Sequence, residues 1–321
     1  MAEREYIYAV ARIRSKEQLL LTGAFMEQLL SAPDEAQCLR LLAERGWGGG
    51  EMSPEEMFRA EQRKTWDLMS ELVEDPSVFG VFRYEVDYHN LKAAIKDCGS
   101  PKRFSGIYRA GGTVSEELIR RAVEERDESL LPERMRAVAR EAADLFLQTQ
   151  DGQLCDVLVD SAALRDIGRA GRESDEELLR LYGELTVAMA NIKTALRAQR
   201  TGKDRKFLRR ALVPCETLDL AQLEDAAADS FEAVCRYLER TEYADAVPAL
   251  KQSPAAFERW CDNRLMRAIR PQIHNCFGLG PLAAYILARE NEIKTVRIIL
   301  SGKRNALAGE AIRERVRETY V

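Results

Sequence analysis

The sequence predicts an all-α protein built from three structurally similar helical-bundle units. Three observations carry that reading: a helical phrase that recurs at one pitch, helix-start signals along the chain, and the near absence of alternating strand patterns. The phrase appears as Asn90-Leu91-Lys92-Ala93, Asn191-Ile192-Lys193-Thr194 and Asn291-Glu292-Ile293-Lys294-Thr295, and Lys92, Lys193 and Lys294 stand 101 positions apart. Around the first copy, Val81, Tyr84, Tyr88, Leu91 and Ile95 step by three and four, as a helix with one buried face requires. Tyr182, Leu185, Met189, Ile192 and Leu196 repeat that register. The third copy keeps Ile286 and Ile293 but sets Glu290 and Arg297 where the stripe would continue. A triplicated unit with a diverged last copy accounts for the pattern, and repetition on this scale reports architecture before chemistry.

Helix starts follow from capping chemistry. Ser15 with Gln18, Ser53 with Glu56, Thr113 with Glu116 and Ser174 with Glu177 have capping-box spacing, in which a hydroxyl accepts from an orphan amide and the longer side chain reaches back. Pro54 suits a first helical position, where its missing donor costs nothing. Stops are expected at Ala32-Pro33, Asp75-Pro76, Gly99-Ser100-Pro101, Gly111-Gly112, Gly168 and Gly278. Ile7 to Ile13 mixes apolar residues with arginine but runs directly into a helix. Each repeat then has one order: a long helix with the Asn/Lys phrase, a basic loop, and a short amphipathic helix. The loops hold Lys102-Arg103, Lys203 through Lys206, and Lys303-Arg304; the short helices are Ser115–Glu125, Leu218–Asp229 and Gly309–Glu318. Closing each unit after its short helix gives units near 1–128, 129–229 and 230–321, with a phase shift of one or two helices left open.

At 321 residues the chain exceeds the roughly 250–300 at which a single core stops growing, which favours several units. Apolar content of 46% with 31% charged residues fits a helix-rich globular protein. A net charge of −5 supplies no global pull toward nucleic acid, and none is expected as a partner. The longest apolar run, Leu279 to Ala288, is interrupted by Gly280 and Pro281 and falls short of the about 20 residues a membrane span needs. Met1 to Glu5 opens with charges and leads into no apolar signal region. Cys38, Cys98, Cys155, Cys215, Cys235, Cys261 and Cys276 are scattered, odd in number and without a Cys-x-x-Cys, a pattern of reduced cytosolic thiols filling helix interfaces.

Catalytic constellations are scarce. His89 and His274 lack metal-ligand spacing and read as surface or interface histidines. Gly202-Lys203-Asp204 and Gly302-Lys303-Arg304 lack both the upstream glycine and the Ser/Thr of a phosphate-binding loop. Gly46-Trp47-Gly48-Gly49-Gly50 follows a helical segment, not a strand, so it reads as a link between helices and not a dinucleotide fingerprint. No catalytic, cofactor or metal residue is therefore assigned, and no small-molecule substrate is expected.

The repeat residues Asn90, Lys92, Asn191, Lys193, Asn291 and Lys294 are assigned a structural role. Each lysine lies one residue past an apolar stripe position, on the flank of the buried face, where its stem covers core and its ammonium reaches the rim. Three equivalent anchors around a pseudo-threefold axis would be the functional alternative; an inherited boundary lysine, weakly paired with a local carboxylate at ~0–1 kcal/mol, is the favoured one. In the middle of the chain Arg197, Arg200, Lys203, Arg205, Lys206, Arg209 and Arg210 run with only Asp204 opposing, followed by Glu216, Asp219, Glu224, Asp225, Asp229 and Glu232. Such blocks are two docking faces of opposite sign or, more commonly, solvated helix faces.

The stretch Gly280-Pro281-Leu282-Ala283-Ala284-Tyr285-Ile286-Leu287-Ala288-Arg289-Glu290-Asn291-Glu292-Ile293-Lys294, continued by Thr295-Val296-Arg297-Ile298-Ile299-Leu300-Ser301-Gly302-Lys303-Arg304-Asn305, resembles the C-terminal signature of the C-subunit family of V-type (archaeal/vacuolar-type) ATPases, whose eukaryotic member is termed the d subunit. Asp87-Tyr88-His89-Asn90-Leu91-Lys92 and Leu164-Arg165-Asp166-Ile167-Gly168 are similar to its internal signatures, and the likeness runs from Tyr6 to the end. The resemblance implies a funnel of three similar helical domains in pseudo-threefold arrangement, without an active site or cofactor. It implies a rotor part on the cytoplasmic face of the membrane, peripheral to it, seated on the ring of proteolipid subunits and receiving the foot of the central stalk. Contact residues do not form a short motif and are not carried over. A generic helical scaffold binding another protein in its concave face is the alternative.

Overall fold

A computed structural model of the chain describes residues 6–48, 52–99 and 106–321. Every regular element among them is helical: α1 (Ile7–Glu17), α2 (Gly23–Ser31), α3 (Glu35–Glu44), α4 (Pro54–Leu72), α5 (Tyr84–Cys98), α6 (Glu116–Glu125), α7 (Glu133–Thr149), α8 (Gly152–Glu173), α9 (Glu177–Arg200), α10 (Arg205–Ala211), α11 (Leu220–Asp229), α12 (Phe231–Leu238), α13 (Val247–Gln252), α14 (Pro254–Ile269), α15 (Gly280–Arg304) and α16 (Gly309–Arg313). The all-α expectation holds. Met1–Glu5, Gly49 and Gly50 of the glycine run, Ser100-Pro101 and the basic pair Lys102-Arg103 lie outside the described residues.

Contacts gather the chain into two units. The first takes Met1–Pro76, Glu176–Leu178 and Asp245–Val321; the second takes Ser77–Asp175 and Leu179–Ala244.

In the first unit α15 is the central helix, packed by α1, α2, α3, α4, α14 and α16. It is buried on every side from Gly280 to Arg289; beyond that Glu290, Lys294, Arg297 and Ser301, three and four apart, form a face that reaches the surface, so polar residues stand where the stripe would continue. That explains the departure of the third copy. Arg297 sits where a stripe residue was expected, yet its guanidinium lies 4.7 Å from the centre of the Phe58 ring and 3.2 Å from Glu55. The surrounding core joins Phe25, Met26, Leu29, Leu42, Trp47 and Phe58 to Ile293, Val296 and Ile299. α4 starts as expected, with the reciprocal Ser53–Glu56 box and Pro54 in its first turn. Ser15 does not start a helix: it lies within α1 and donates to Arg12 O, and Thr22 caps α2 instead. The last helix is also shorter than expected. α16 stops at Arg313, because the chain beyond it finds other partners: Glu318 N donates to Asn263 Oδ1 at 2.8 Å, and Arg267 and Arg270 hold the Glu318 carboxylate. Tyr320 is buried at the end of this strap.

In the second unit α5 packs on α6, α7 and α8, and α8 leads through α10 to α11 and α12. Tyr88, Leu91, Ile95, Ile119, Met135, Ala142, Cys155 and Val159 form its core. Burial there pushes the Cys155 thiol up to about 11, so it packs as an inert apolar group. Ser115, not Thr113, caps α6, accepting from Leu118 N; Thr113 is drawn away because its hydroxyl donates to buried Asp87 at 2.5 Å. Ser174 closes α8, and α9 begins only at Glu177. Gly168 is no stop. It lies inside α8, where the helix runs so close to α9 that a Cβ would stand 3.2 Å from Val187 Cγ2.

Candidate functional site

The three asparagines of the repeat each pin the backbone that returns after the basic loop. Asn90 Nδ2 donates to Arg109 O, and Arg109 N donates to Asn90 Oδ1, both at 2.8 Å. Asn191 makes the same pair with Val213, at 2.7 Å and 2.9 Å. A carboxamide suits the task because it alone offers a donor and an acceptor side by side, matching one backbone amide and carbonyl. Asn191 and Val213 are both buried, so Asn191→Leu would leave two polar backbone atoms without partners. We expect that variant to lose about 2–4 kcal/mol in a urea-unfolding series followed by circular dichroism.

The third copy divides this job. Two residues before Lys294 stands Glu292, so the shared register puts Glu292 where Asn90 and Asn191 stand. Asn291 Nδ2 donates to Glu318 O at 2.9 Å, while the Glu292 carboxylate accepts from Leu21 N. One side chain has become two, each holding a different stretch of chain.

Lys92 and Lys294 each pair with a carboxylate on the neighbouring helix. Lys92 Nζ lies 2.6 Å from Asp160 on α8, and Lys294 Nζ lies 2.6 Å from Asp262 on α14, which Arg317 shares at 2.8 Å. Lys193 is half-buried on α9. Because Asp160 is largely solvated, Lys92→Met should change stability by no more than about 1 kcal/mol in the same assay.

A cluster of buried charges lies elsewhere, around α15. Arg289 Nη2 lies 2.6 Å from Glu61 Oε2 on α4, and Arg289 Nη1 binds Glu292 one turn along its own helix. Glu61 also accepts from Lys64 at 2.6 Å, and Lys64 donates to Gly46 O at 2.9 Å. The Arg289 guanidinium stands 5.0 Å from the Trp47 ring centre. Burial pushes the Glu292 carboxyl up to about 7, opposed by Arg289 and by the bond from Leu21 N. This network ties the α1–α2 turn, the loop at Gly46–Gly48 and α4 to one helix. Above it opens a cavity of about 420 Å³ whose lining includes Arg12, Lys16, Arg45, Trp47, Lys64 and Tyr285. Sequence reasoning missed the network because Glu61 and Arg289 are 228 residues apart. The one signal it left was a carboxylate, Glu292, at the repeat's asparagine register.

A second charged centre lies in the second unit. Asp87, fully buried, accepts from Thr113 Oγ1, from Val114 N at 3.0 Å and from Arg134 at 2.6 Å, and Arg134 stacks 4.1 Å from the Tyr84 ring centre. Tyr88 donates its hydroxyl to Asp166, and burial with that carboxylate raises the phenol well above its ordinary range. These groups belong to the two internal phrases, Asp87–Lys92 and Leu164–Gly168, which the fold brings together. Both charged centres clamp separate stretches of chain together, with Arg134 Nη1 left buried and without a hydrogen-bond partner among the described residues.

The basic and acidic blocks partly cancel. Arg205 binds Asp225, and Arg209 Nε lies 3.0 Å from Glu224, so α10 and α11 face each other with opposite charge. Among the described residues, no group of three or more His, Cys, Asp or Glu side chains could hold a metal ion, and no helix is long and apolar enough to cross a membrane.

Comparison with known proteins places these features. The chain matches the ATP synthase (C/AC39) subunit family over residues 9–315. It is 26% identical over 318 residues to the C subunit of the V-type ATP synthase of Thermus thermophilus, covering 92% of this chain and 93% of the relative. It is 22% identical over 264 residues to the C subunit of the V-type sodium ATPase of Enterococcus hirae, covering 81% and 80%. With the C subunit of the A-type ATP synthase of Methanocaldococcus jannaschii it shares 23% identity over 341 residues, covering 96% and 85%. An all-helical chain that matches one family along nearly its whole length is a member of it: this protein belongs to the ATP synthase (C/AC39) subunit family.

Proposed function

We propose that the chain is a non-catalytic rotor subunit of a V-type ATPase or ATP synthase, a socket that couples the central stalk to the membrane proteolipid ring on the cytoplasmic face. The observation that carries this reading is the extent of the family match, residues 9–315, with C-subunit relatives aligned over most of their own length. The physical design supports it. A coupling part must carry torque without yielding, and close-packed helices locked by buried ion pairs and asparagine pins transmit strain. We further propose that the chain arose as three units, near 1–128, 129–229 and 230–321, in a pseudo-threefold funnel. Mixing the purified chain with central-stalk subunits, and separately with the detergent-solubilised ring, tests the coupling role. Co-elution with both is expected; co-elution with neither removes the assignment. Titration with magnesium-ATP and with pyrophosphate should show no saturable micromolar binding, and such binding would overturn the non-catalytic reading.

A further inference from the structure

The second copy of the repeat leaves positive charge uncancelled where the third does not. In the last turn of α15, Lys303 Nζ donates to Leu30 O and Ala32 O, each at 2.6 Å, and Arg304 binds Glu35 at 2.6 Å. The ammonium thereby satisfies carbonyls at the end of α2, and the guanidinium is neutralised within its own unit. After α9, Lys203, which follows a glycine as Lys303 does, meets only a neutral group, Gln153 Oε1 at 2.8 Å, with its ammonium 5.6 Å from the centre of the Phe207 ring.

α10 then divides its cations by face. Arg205 and Arg209, four residues apart, turn to Asp225 and Glu224. Lys206 and Arg210, also four apart and both exposed, line a cavity of about 430 Å³ between α10 and the start of α8. Among the described residues their side chains make no ion pair. The two carboxylates at this cavity are already engaged at helix starts. Asp151 accepts from Gln153 N and Leu154 N, and Asp204 accepts from Phe207 N. Each sits on a positive helix end that offsets its charge, so Lys203, Lys206 and Arg210 set the sign of the site. The remaining wall is apolar: Leu154, Val157 and Phe207, all half-buried.

We propose that this cavity docks a carboxylate-rich segment of a neighbouring protein in the assembly. Its carboxylates meet Lys203, Lys206 and Arg210, and an apolar side chain lies against Phe207, Leu154 and Val157. The proposal rests on the reading of the chain as a coupling part, which is what supplies a neighbouring protein. The lining selects this occupant over two others. A small inorganic anion would leave the apolar wall unmatched. A lipid surface would need apolar side chains that protrude, and these are recessed.

The test uses the complex reconstituted from purified subunits, with a photoreactive benzophenone amino acid in place of Phe207. Irradiation followed by mass spectrometry should identify one cross-linked segment from another protein of the complex, rich in Asp and Glu and carrying an apolar residue. Its yield should fall as salt is raised from about 0.05 M to about 0.5 M. Adding Lys206→Glu and Arg210→Glu should lower the yield about tenfold at the lower salt. Both positions are exposed, and an unchanged circular-dichroism melt would certify that the variant is folded. Cross-linking to lipid, to a segment without acidic excess or to nothing would overturn the proposal, as would a yield indifferent to the double substitution. If the chain co-elutes with its partners while the double variant behaves as the parent, only this docking site falls. If the unsubstituted chain co-elutes with none of them, the coupling reading falls as well.

Discussion

Replacing Arg289 with methionine should destabilise the first unit by about 3–5 kcal/mol, a large share of the roughly 5–15 kcal/mol that holds a typical domain together. The side chain itself is not what makes the loss large. Arg289 stands between two carboxylates, Glu61 and Glu292, whose side chains are 3% and 4% exposed, and removing it strands both. Glu61 would retain Lys64, whose ammonium is half in water, while Glu292 would retain only Leu21 N. Replacing all three charged residues together with apolar residues of similar volume should cost far less, because no buried charge is then left without a partner. The measurement is direct. All three tryptophans, Trp47, Trp66 and Trp260, lie in the first unit, so fluorescence-detected urea unfolding follows that unit. Trp47 also stacks beneath Arg289 and should report the substitution in the native spectrum. A loss below about 1 kcal/mol would mean that the carboxylates find other partners.

The same network sets a dependence on pH. Glu292 titrates near 7 in the folded chain and in the ordinary carboxylate range when unfolded, so between those values the folded chain holds the extra proton. Stability therefore falls as pH rises through that window and levels off above about 7. Glu292→Gln keeps an acceptor for Leu21 N and should flatten the slope. In the Arg289→Met variant the penalty should shrink toward pH 5, where Glu292 is neutral and no longer needs a counter-charge.

Local chemistry was legible in the sequence; long-range chemistry was not. Ser53, Pro54 and Glu56 start a helix whatever surrounds them, and the three- and four-residue stepping around Tyr88 and Met189 needs only one neighbouring layer. The α15 helix defeats such reading because six helices pack on it, so its pattern records six neighbours at once. The sharing of Glu61 and Glu292 by Arg289 joins segments 228 residues apart, and its one local trace is the carboxylate of Glu292 at the asparagine register. Thr113 departs from its expected role for a related reason: buried Asp87, 26 positions earlier, claims the hydroxyl that capping would have used. The end of the chain reads as helix by composition, yet Asn263 and Asn291 offer Glu318 a better set of bonds. Of the candidate positions, the asparagines stand out in the sequence and their work does not, since a clamp becomes visible only with the backbone it holds.

Gly183→Leu should be the most disruptive single change in the second unit, costing about 3 kcal/mol or more. Glycine carries two meanings in a helical sequence, punctuation and close contact, and only packing separates them. Gly168 reads as a stop, but it belongs to a contact set. A Cβ on Gly171 would lie 3.0 Å from Leu179 O and 3.1 Å from the Gly183 Cα; one on Gly183 would lie 3.0 Å from Ile167 O and 3.1 Å from the Gly171 Cα. Here α8 and α9 touch backbone to backbone, and no rotamer of a larger residue relieves a clash with a carbonyl. Two effects oppose each other at Gly183. A helix-interior glycine gives up about 1 kcal/mol of propensity relative to alanine, which favours substitution. The overlap costs more, because α8 and α9 must move apart along their crossing and uncover Ile167 and Val187. Gly183→Ala should therefore already lose stability, and leucine considerably more. Gly309 provides the contrast, as nothing lies within 4 Å of its Cβ position and its Ala variant should be neutral or slightly more stable. Amide hydrogen exchange in α8 and α9 is the readout. Protection that survives Gly183→Leu would show that the helices separate at little cost, and the close crossing would then lose its part in making this unit stiff.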